Sequence, residues 1–229
     1  MKNFLRLGFM AIAVTFVFST FAATETKAQL NEILNRMEAH YKALTSLRTG
    51  VTYSKYDSVV KVSDDMEGKA IYLPQKGKDA LFRVDWSKPV ESLAVVNKQY
   101  VIYRPRLKQA IVGNTETAKK NSSGVGGPLA FINMSKAQLK ANYEMKYLGE
   151  ETLSNGTKTW HLELTPKTAQ KYKLAEIWVD GNGMPIQMKV IETNNDTSSV
   201  LLSNIEENVS LKGSDFKIDL PKDTKIVKN

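Results

Sequence analysis

The chain of 229 residues contains no cysteine. This absence excludes a disulfide scaffold, a thiol nucleophile and an N-terminal cysteine that could carry a lipid. Histidine is almost as scarce, because only His40 and His161 occur, and we interpret both as surface residues rather than as metal ligands or general bases. A chain without cross-links depends on a large hydrophobic core, which this length permits.

The sequence also lacks the short motifs that mark common enzymes and nucleotide sites. Neither H-E-x-x-H, nor G-x-S-x-G, nor a phosphate-binding glycine loop occurs. The segment Asp180-Gly181-Asn182 resembles the opening of a calcium loop, but the downstream glutamate is missing and a turn is the better interpretation. No cluster of basic residues interleaves with aromatic residues on one helix, which argues against nucleic-acid binding. We therefore predict no enzyme, no metal, no cofactor and no nucleic-acid partner.

The N-terminus has the pattern of a secretory signal peptide. Lys2 and Arg6 precede the mostly apolar run 7–23, and Ala28 supplies a small residue for cleavage before Gln29. Cleavage after Ala23 and a membrane anchor are the alternatives, although the apolar run is short for a membrane span. We predict a signal peptide at 1–28 and one domain at 29–229.

The charge of this domain is moderately positive. The whole chain carries 32 basic and 24 acidic residues, and removal of the leader leaves 29 and 23, a net charge of +6. Such a charge suits weak attraction to anionic lipid or to an acidic partner.

The first segment after the leader is a predicted amphipathic helix over 30–47. Its apolar residues recur at steps of three and four, and charged residues occupy the other face. The apolar stripe consists of Leu30, Ile33, Leu34, Met37, Tyr41, Leu44 and Leu47. This stripe needs a partner surface, and an aromatic face of a sheet is the obvious candidate.

The stretch 80–112 predicts an antiparallel meander. Phe82, Val84 and Trp86 alternate with Leu81, Arg83 and Asp85, so the first three share one face. Short polar links separate the further strands 92–96, 100–103 and 108–112. Additional strands are predicted at 48–56, 67–73, 143–148, 150–153, 160–165, 174–179, 185–192, 198–205 and 216–220.

A glycine-rich segment interrupts the strands at 113–127. Pro128 to Ile132 is a short apolar element, and Ser135 with Gln138 fits a capping box that opens a helix through Ala141. The segment is either a movable lid or a packed crossover between two halves of a sheet.

These elements predict an α+β fold that is mostly antiparallel β. We expect an incomplete, half-open β-barrel of about ten or eleven strands, covered by the N-terminal helix and a mid-chain helical lid. The sheet face has many large apolar residues and little helix to cover them. It is therefore either an ordinary core or the wall of an apolar pocket.

The order of these motifs resembles that of the LolA-type periplasmic outer-membrane lipoprotein carriers. The resemblance covers essentially the whole mature chain. It is carried by SKPVES at 87–92, KQYVIYRP at 98–105, Gln109-Ala110, Pro128 to Ile132, LTPK at 164–167, WVD at 178–180 with GMPI at 183–186, and the close at 216–227. The family forms an incomplete barrel with an apolar cavity for acyl chains.

The resemblance implies a set of acyl-chain-binding residues. Phe82 takes the family's aromatic position near the cavity mouth, with Trp86 on the same face. The predicted site comprises Leu34, Met37, Tyr41, Leu73, Phe82, Val84, Trp86, Tyr100, Ile102, Phe131, Trp160, Ile177, Ile186 and Met188. The family usually holds its lid with an arginine before this strand. Here 74–78 has no arginine, so Lys76 and Lys78 are the predicted latch.

The implied function is a periplasmic carrier that ferries lipoproteins from the inner to the outer membrane. Its implied partners are acylated lipoproteins or lipids, an inner-membrane lipoprotein-releasing transporter and an outer-membrane acceptor, and we expect a monomer. The alternatives are a periplasmic carrier of free lipid or glycolipid and a lipoprotein-sensing regulatory module.

Overall fold

A computed structural model describes residues 18–75, 79–115 and 130–228. Two α-helices lie in these ranges, α1 at Phe18–Ala43 and α2 at Lys136–Asn142. The strands are β1 Leu47–Asp57, β2 Val62–Leu73, β3 Leu81–Lys88, β4 Val90–Val96, β5 Gln99–Arg104, β6 Gln109–Asn114, β7 Tyr143–Thr152, β8 Lys158–Pro166, β9 Tyr172–Val179, β10 Pro185–Glu192, β11 Thr197–Glu207 and β12 Lys225–Lys228.

All twelve of these strands belong to one sheet. Its order is β12-β6-β5-β4-β3-β2-β1-β11-β10-β9-β8-β7. Neighbours are antiparallel except β12 and β6, which run parallel. The sheet does not close, since β12 and β7 form its two edges. The predicted α+β fold with an incomplete barrel is thus confirmed, and the structure adds a twelfth strand.

The helix α1 packs on one face of the sheet, which we call the inner face. Its residues Ile33, Leu34 and Met37 are at most 4 % exposed. They meet an apolar core built from alternating residues of the sheet, because successive strand residues point to opposite faces. In the described part of the chain, no helix is long and apolar enough to cross a membrane.

The predicted end of α1 at Leu47 is wrong. The helix ends at Ala43, and Leu47 opens β1. The backbone N–H of Thr45 donates to Asn208 Oδ1 at 2.8 Å, and the Ser46 hydroxyl donates to the Val209 carbonyl at 2.5 Å. Contacts to the distant segment 208–209 therefore draw the chain out of the helix despite its apolar period.

The opposite, outer face is covered in part by the C-terminal segment. Phe216 is fully buried, and Arg83 donates to the carbonyls of Asp215 at 3.1 Å and Lys217 at 2.6 Å. The predicted strand at 216–220 is wrong, because Phe216 ends a 3-10 turn at Gly213–Phe216. The alternation of apolar residues that begins at Phe216 therefore does not indicate a strand here, because Phe216 is buried from within a turn.

The predicted capping box opens α2 as expected. The Gln138 backbone N–H donates to Ser135 Oγ at 3.2 Å, and the Ser135 backbone N–H donates to Gln138 Oε1 at 2.9 Å. A 3-10 turn at Ala130–Asn133 precedes it and places Phe131 in the core.

Candidate functional site

Most residues of the predicted site meet in the core between α1 and the inner face. Eight of them are buried in one cluster: Leu34, Met37, Val84, Trp86, Phe131, Ile177, Ile186 and Met188. Phe82 and Trp160 are partly buried and pack against that cluster. This half of the inner face is filled by the protein's own side chains.

Glycine makes room for the largest of these side chains. A Cβ at Gly68 would lie 2.4 Å from the Asp85 carbonyl oxygen and 3.0 Å from the Trp86 ring. Trp86 also packs on Tyr53, with ring centroids 6.4 Å apart. The absence of a side chain at Gly68 therefore leaves room for the indole beside β2.

The structure places two predicted residues away from this core. Leu73 pairs with Leu81, whereas Tyr72 pairs with Phe82, so the alternation of β2 puts Leu73 on the outer face. Tyr41 lies near the end of α1 and is 38 % exposed. Lys76 and Lys78, the predicted latch, lie outside the described residues.

The inner face continues beyond the core onto β3 to β6. We call its half-buried apolar residues the apolar strip, and they are Phe82, Leu93, Val95, Ile102 and Ile111. Register shows that they share one face: Phe82 pairs with Val95, and Leu93 and Ile111 both pair with Ile102.

Tyr100, also in the predicted site, lies at the margin of this strip. It is 8 % exposed and covers Gly113, whose Cβ would come within 2.5 Å of the phenol ring. The sequence analysis missed Leu93, Val95 and Ile111, because β4 and β6 are apolar on both faces and their alternation is hidden.

A charged pair ends the apolar strip on one side. Arg104 Nε donates to Glu91 Oε2 at 2.6 Å, and Glu91 pairs with Trp86 across the sheet, which puts it on the inner face. The Glu91 side chain is 19 % exposed. The inner face thus passes from apolar to charged within one residue pair, and we call this pair the polar end.

The two helices are joined by polar contacts, which we call the clasp. Glu38 of α1 accepts a hydrogen bond from the backbone N–H of Lys136 at 2.8 Å. That bond, with the Lys42 ammonium nearby, lowers the pKa of Glu38 below its ordinary value. Lys136 also donates to Asn35 of α1 through its ammonium, and Lys140 donates to Asn31 at 3.3 Å.

Contacts between Arg36 and the β9–β10 turn hold α1 to the sheet. The Arg36 guanidinium donates to the Gly181 carbonyl at 2.9 Å and lies 5.3 Å from the centre of the Trp160 ring. Gly183 has φ of +93°, and a Cβ there would come within 2.3 Å of the Arg36 carbonyl oxygen. The turn therefore touches the helix backbone itself, which only glycine permits.

The two histidines lie in separate polar contacts. His40 Nε2 is 3.0 Å from Glu207, and His161 stacks on Trp178 at 4.2 Å. Among the described residues, no group of three or more histidine, aspartate and glutamate side chains could hold a metal ion.

A separate cavity opens on the outer face, with a volume of about 380 Å³. Its charged lining is largely paired, with Arg48 and Glu206 3.0 Å apart and Arg83 and Asp85 2.9 Å apart. It therefore differs in chemistry from the apolar strip, which lies on the other side of the sheet.

Comparisons with known proteins identify a family for the chain and solved structures with a similar fold. The profile of the family described as "Outer membrane lipoprotein carrier protein LolA" matches residues 76–219. No curated protein matches the chain in sequence. A crystal structure of an uncharacterized conserved protein from Thermus thermophilus superposes with a TM-score of 0.55 at 16 % identity, over 88 % of this chain and 99 % of that one. The crystal structure of MucB superposes with a TM-score of 0.52 at 14 % identity, over 84 % of this chain and 63 % of that one.

Proposed function

Because this chain belongs to the LolA family of outer membrane lipoprotein carrier proteins, we propose that it is a periplasmic carrier of acylated lipoproteins. It takes up their acyl chains at the inner membrane and releases them at the outer membrane. Residues 1–28 act as its signal peptide, and residues 29–229 form the carrier domain.

The apolar strip on the inner face of β3 to β6 is the observation that supports this role. Phe82, Ile102 and their neighbours are half-buried, so added apolar surface can still cover them. Each acyl methylene removed from water contributes about 0.8 kcal/mol. A chain of about fifteen methylenes therefore gains about 12 kcal/mol from a water-free site, which makes such a carrier necessary.

The polar end fits the other part of an acylated cargo. Acyl chains are linked to the protein or headgroup through polar ester and amide groups. The Arg104 guanidinium can donate to such groups without leaving Glu91 unpaired. Acyl chains would lie along the apolar strip, with their polar linkage beside Arg104.

Transport needs two partners besides the cargo. An inner-membrane lipoprotein-releasing transporter loads the carrier, and an outer-membrane acceptor unloads it by binding the chains better. The carrier acts as a monomer and makes no covalent change in its cargo.

A carrier of free lipid or glycolipid is the second candidate. The segment 74–78 has no arginine where the family's lid arginine is expected, which removes one family feature linked to lipoprotein cargo. The apolar strip itself suits any acyl chain.

Native mass spectrometry of the mature protein from its own periplasm tests both candidates. A bound triacylated lipoprotein supports the first, and bound phospholipid or glycolipid alone supports the second. A protein that carries no ligand and takes up no fluorescent acyl probe contradicts both.

Variants of the strip test the site. We expect Phe82→Glu and Ile102→Glu to weaken binding of the acyl probe at least about tenfold, because a carboxylate resists burial against an acyl chain. Leu148→Glu is the matched control, since Leu148 is 48 % exposed on the edge strand β7. Unchanged binding by folded Phe82→Glu and Ile102→Glu proteins would remove the strip from the site.

A further inference from the structure

The hairpin that joins β1 and β2 ends in three exposed valines. Val59, Val60 and Val62 are 83 %, 64 % and 58 % exposed. Exposed apolar side chains are common singly, but three within four residues at one tip form a patch. We call Ser58 to Val62 the valine tip.

The valine tip is held in one conformation by its own polar groups. Asp57 Oδ1 accepts hydrogen bonds from the backbone N–H groups of Val59 at 2.9 Å and Val60 at 3.0 Å. Lys61 has φ of +57°, and its N–H donates to the Asp57 carbonyl at 2.9 Å. These hydrogen bonds fix the backbone of the turn in a conformation in which the valine side chains are exposed to solvent.

The neighbouring β10–β11 turn braces the tip from the side. Asp196 Oδ1 accepts from the backbone N–H of Ser58 at 2.8 Å and from its hydroxyl at 2.9 Å. These bonds, the backbone one first, lower the pKa of Asp196, so its carboxylate stays ionised and bound. The two aspartates thus direct oxygen atoms into the turn and leave Lys61 as the charged residue among the valines.

On its other side the hairpin extends beyond the end of β3. Glu67 pairs with Lys88, the last residue of β3, so the five residues from Val62 to Met66 run past the end of that strand. At about 3.3 Å per residue the tip reaches about 16 Å beyond β3 along the strand direction.

The tip lies at the same end of the sheet as the polar end of the apolar strip. Arg104 is the last residue of β5, Glu91 the second of β4 and Lys88 the last of β3, and the antiparallel order puts all three at the end of the sheet that carries the valine tip. A cargo that lies on the strip would have its polar linkage on that side.

We propose that the valine tip docks the carrier onto a lipid bilayer surface. The patch supports lipid over a protein partner, because a specific protein interface buries about 800 Å² on each side and three valines expose far less. A bilayer needs no matching shape and accepts small apolar tips in its interface. The net charge of +6 that remains after removal of residues 1–28 attracts the protein to anionic lipid as a whole. The inference deepens the proposed function, since it assigns the surface that meets the membrane.

Co-sedimentation with protein-free vesicles of phosphatidylethanolamine and phosphatidylglycerol tests the docking. We expect the wild-type protein to bind and Val59→Asp/Val60→Asp to lose at least about tenfold in its partition coefficient. Leu148→Asp is the control and should bind within about twofold of wild type, because it adds the same charge at an exposed apolar site on another strand. The proposal is overturned if the wild type does not bind, if the double variant binds as well as wild type, or if the control loses as much.

A spectroscopic measurement checks the same point without a charge change. The chain has no cysteine, so Val60→Cys and Leu148→Cys each accept one environment-sensitive fluorophore. A blue shift on vesicle addition is expected at position 60 and not at 148, and the reverse or an equal shift contradicts the docking.

Acyl-probe binding separates this proposal from the proposed function. The double valine variant should bind the probe as wild type does, because the tip lies outside the apolar strip. Loss of vesicle docking with intact probe binding concerns the tip alone, whereas a wild type that docks but binds no acyl probe contradicts the carrier.

Discussion

Trp86 is the largest side chain on the inner face of β3, and one glycine decides whether it fits. We expect Gly68→Ala to lower the free energy of unfolding by about 1–3 kcal/mol, because the new methyl would overlap the Asp85 carbonyl and the indole. Urea unfolding measures this. Gly181→Ala is the matched control, since a Cβ there has nothing within 4 Å, and it should change stability by less than about 0.5 kcal/mol. Equal effects of the two substitutions would contradict the packing role of Gly68.

Glu38 gives the protein a stability contribution that depends on pH. Its folded pKa lies below the ordinary 4.5, so its charge stabilises the folded state above that pH and the contribution is lost as pH falls through the folded value. We expect Glu38→Gln to cost about 0.5–1 kcal/mol at neutral pH, with the difference from wild type shrinking below pH 4.5.

Urea unfolding at a series of pH values measures the difference. Glu144→Gln is the control, since the Glu144 side chain is 78 % exposed and its carboxylate comes no closer than 3.4 Å to the Lys167 ammonium. A gap between wild type and Glu38→Gln that is the same at every pH would show that the charge of Glu38 is irrelevant.

For single residues, the sequence predicts the face of the sheet correctly only where polar and apolar residues alternate. Phe82, Val84 and Trp86 share the inner face as their alternation indicates, because Arg83 and Asp85 between them are polar. Leu73 gives no such signal, since it follows Tyr72 in an apolar run and either face is open to it. Only pairing with β3 shows that it points outward.

At the scale of elements, the clasp makes α1 and α2 a single unit. Glu38 and Asn35 of α1 contact Lys136, the first residue of α2, and Asn31 contacts Lys140 in its last turn. We expect a short bismaleimide bridge between Asn35→Cys and Lys136→Cys to leave the rate of acyl-probe uptake within about twofold, because helices that move together need not separate.

The control bridge joins α1 to the sheet, through Arg36→Cys and Gly181→Cys, where the guanidinium now meets the turn. It should slow uptake if α1 moves to admit cargo. A several-fold slowing by the α1–α2 bridge instead would show that the two helices separate during loading.

Elements with local turn chemistry were the ones that the sequence predicted best. The capping box at Ser135 and the turn Asp180 to Gly183 are fixed by neighbours in sequence, and both formed as expected. The end of α1 and the turn at Phe216 depend on segments more than a hundred residues away. No local pattern contains that information.

For the whole molecule, binding of the proposed cargo should stabilise the folded state. A ligand that binds only the folded state at a hundred times its dissociation constant adds about 2.7 kcal/mol to the free energy of unfolding. We expect a saturating single-chain fatty acid to raise the urea midpoint accordingly, and Phe82→Glu to show little of this increase. An equal increase in the variant would place the fatty acid elsewhere.

The overall architecture was predictable because many short strands with few helices leave an open, curved sheet as the solution. The position of the half-exposed apolar strip on that sheet could not be predicted. Burial of Ile177, Ile186 and Met188 under α1, and the half-exposure of Leu93, Val95 and Ile111, follow from where α1 crosses the sheet. That crossing is a tertiary property.

The place of β1 in the sheet has a consequence for the order of folding. β1 lies between β2 and β11, and Tyr53 pairs with Val200. A chain that leaves the ribosome or a translocation pore N-terminus first therefore exposes one side of β1 until about residue 207 has emerged. The centre of the sheet is completed late, and closing so long a loop slows folding. The polypeptide thus remains threadable through a narrow pore for most of its synthesis.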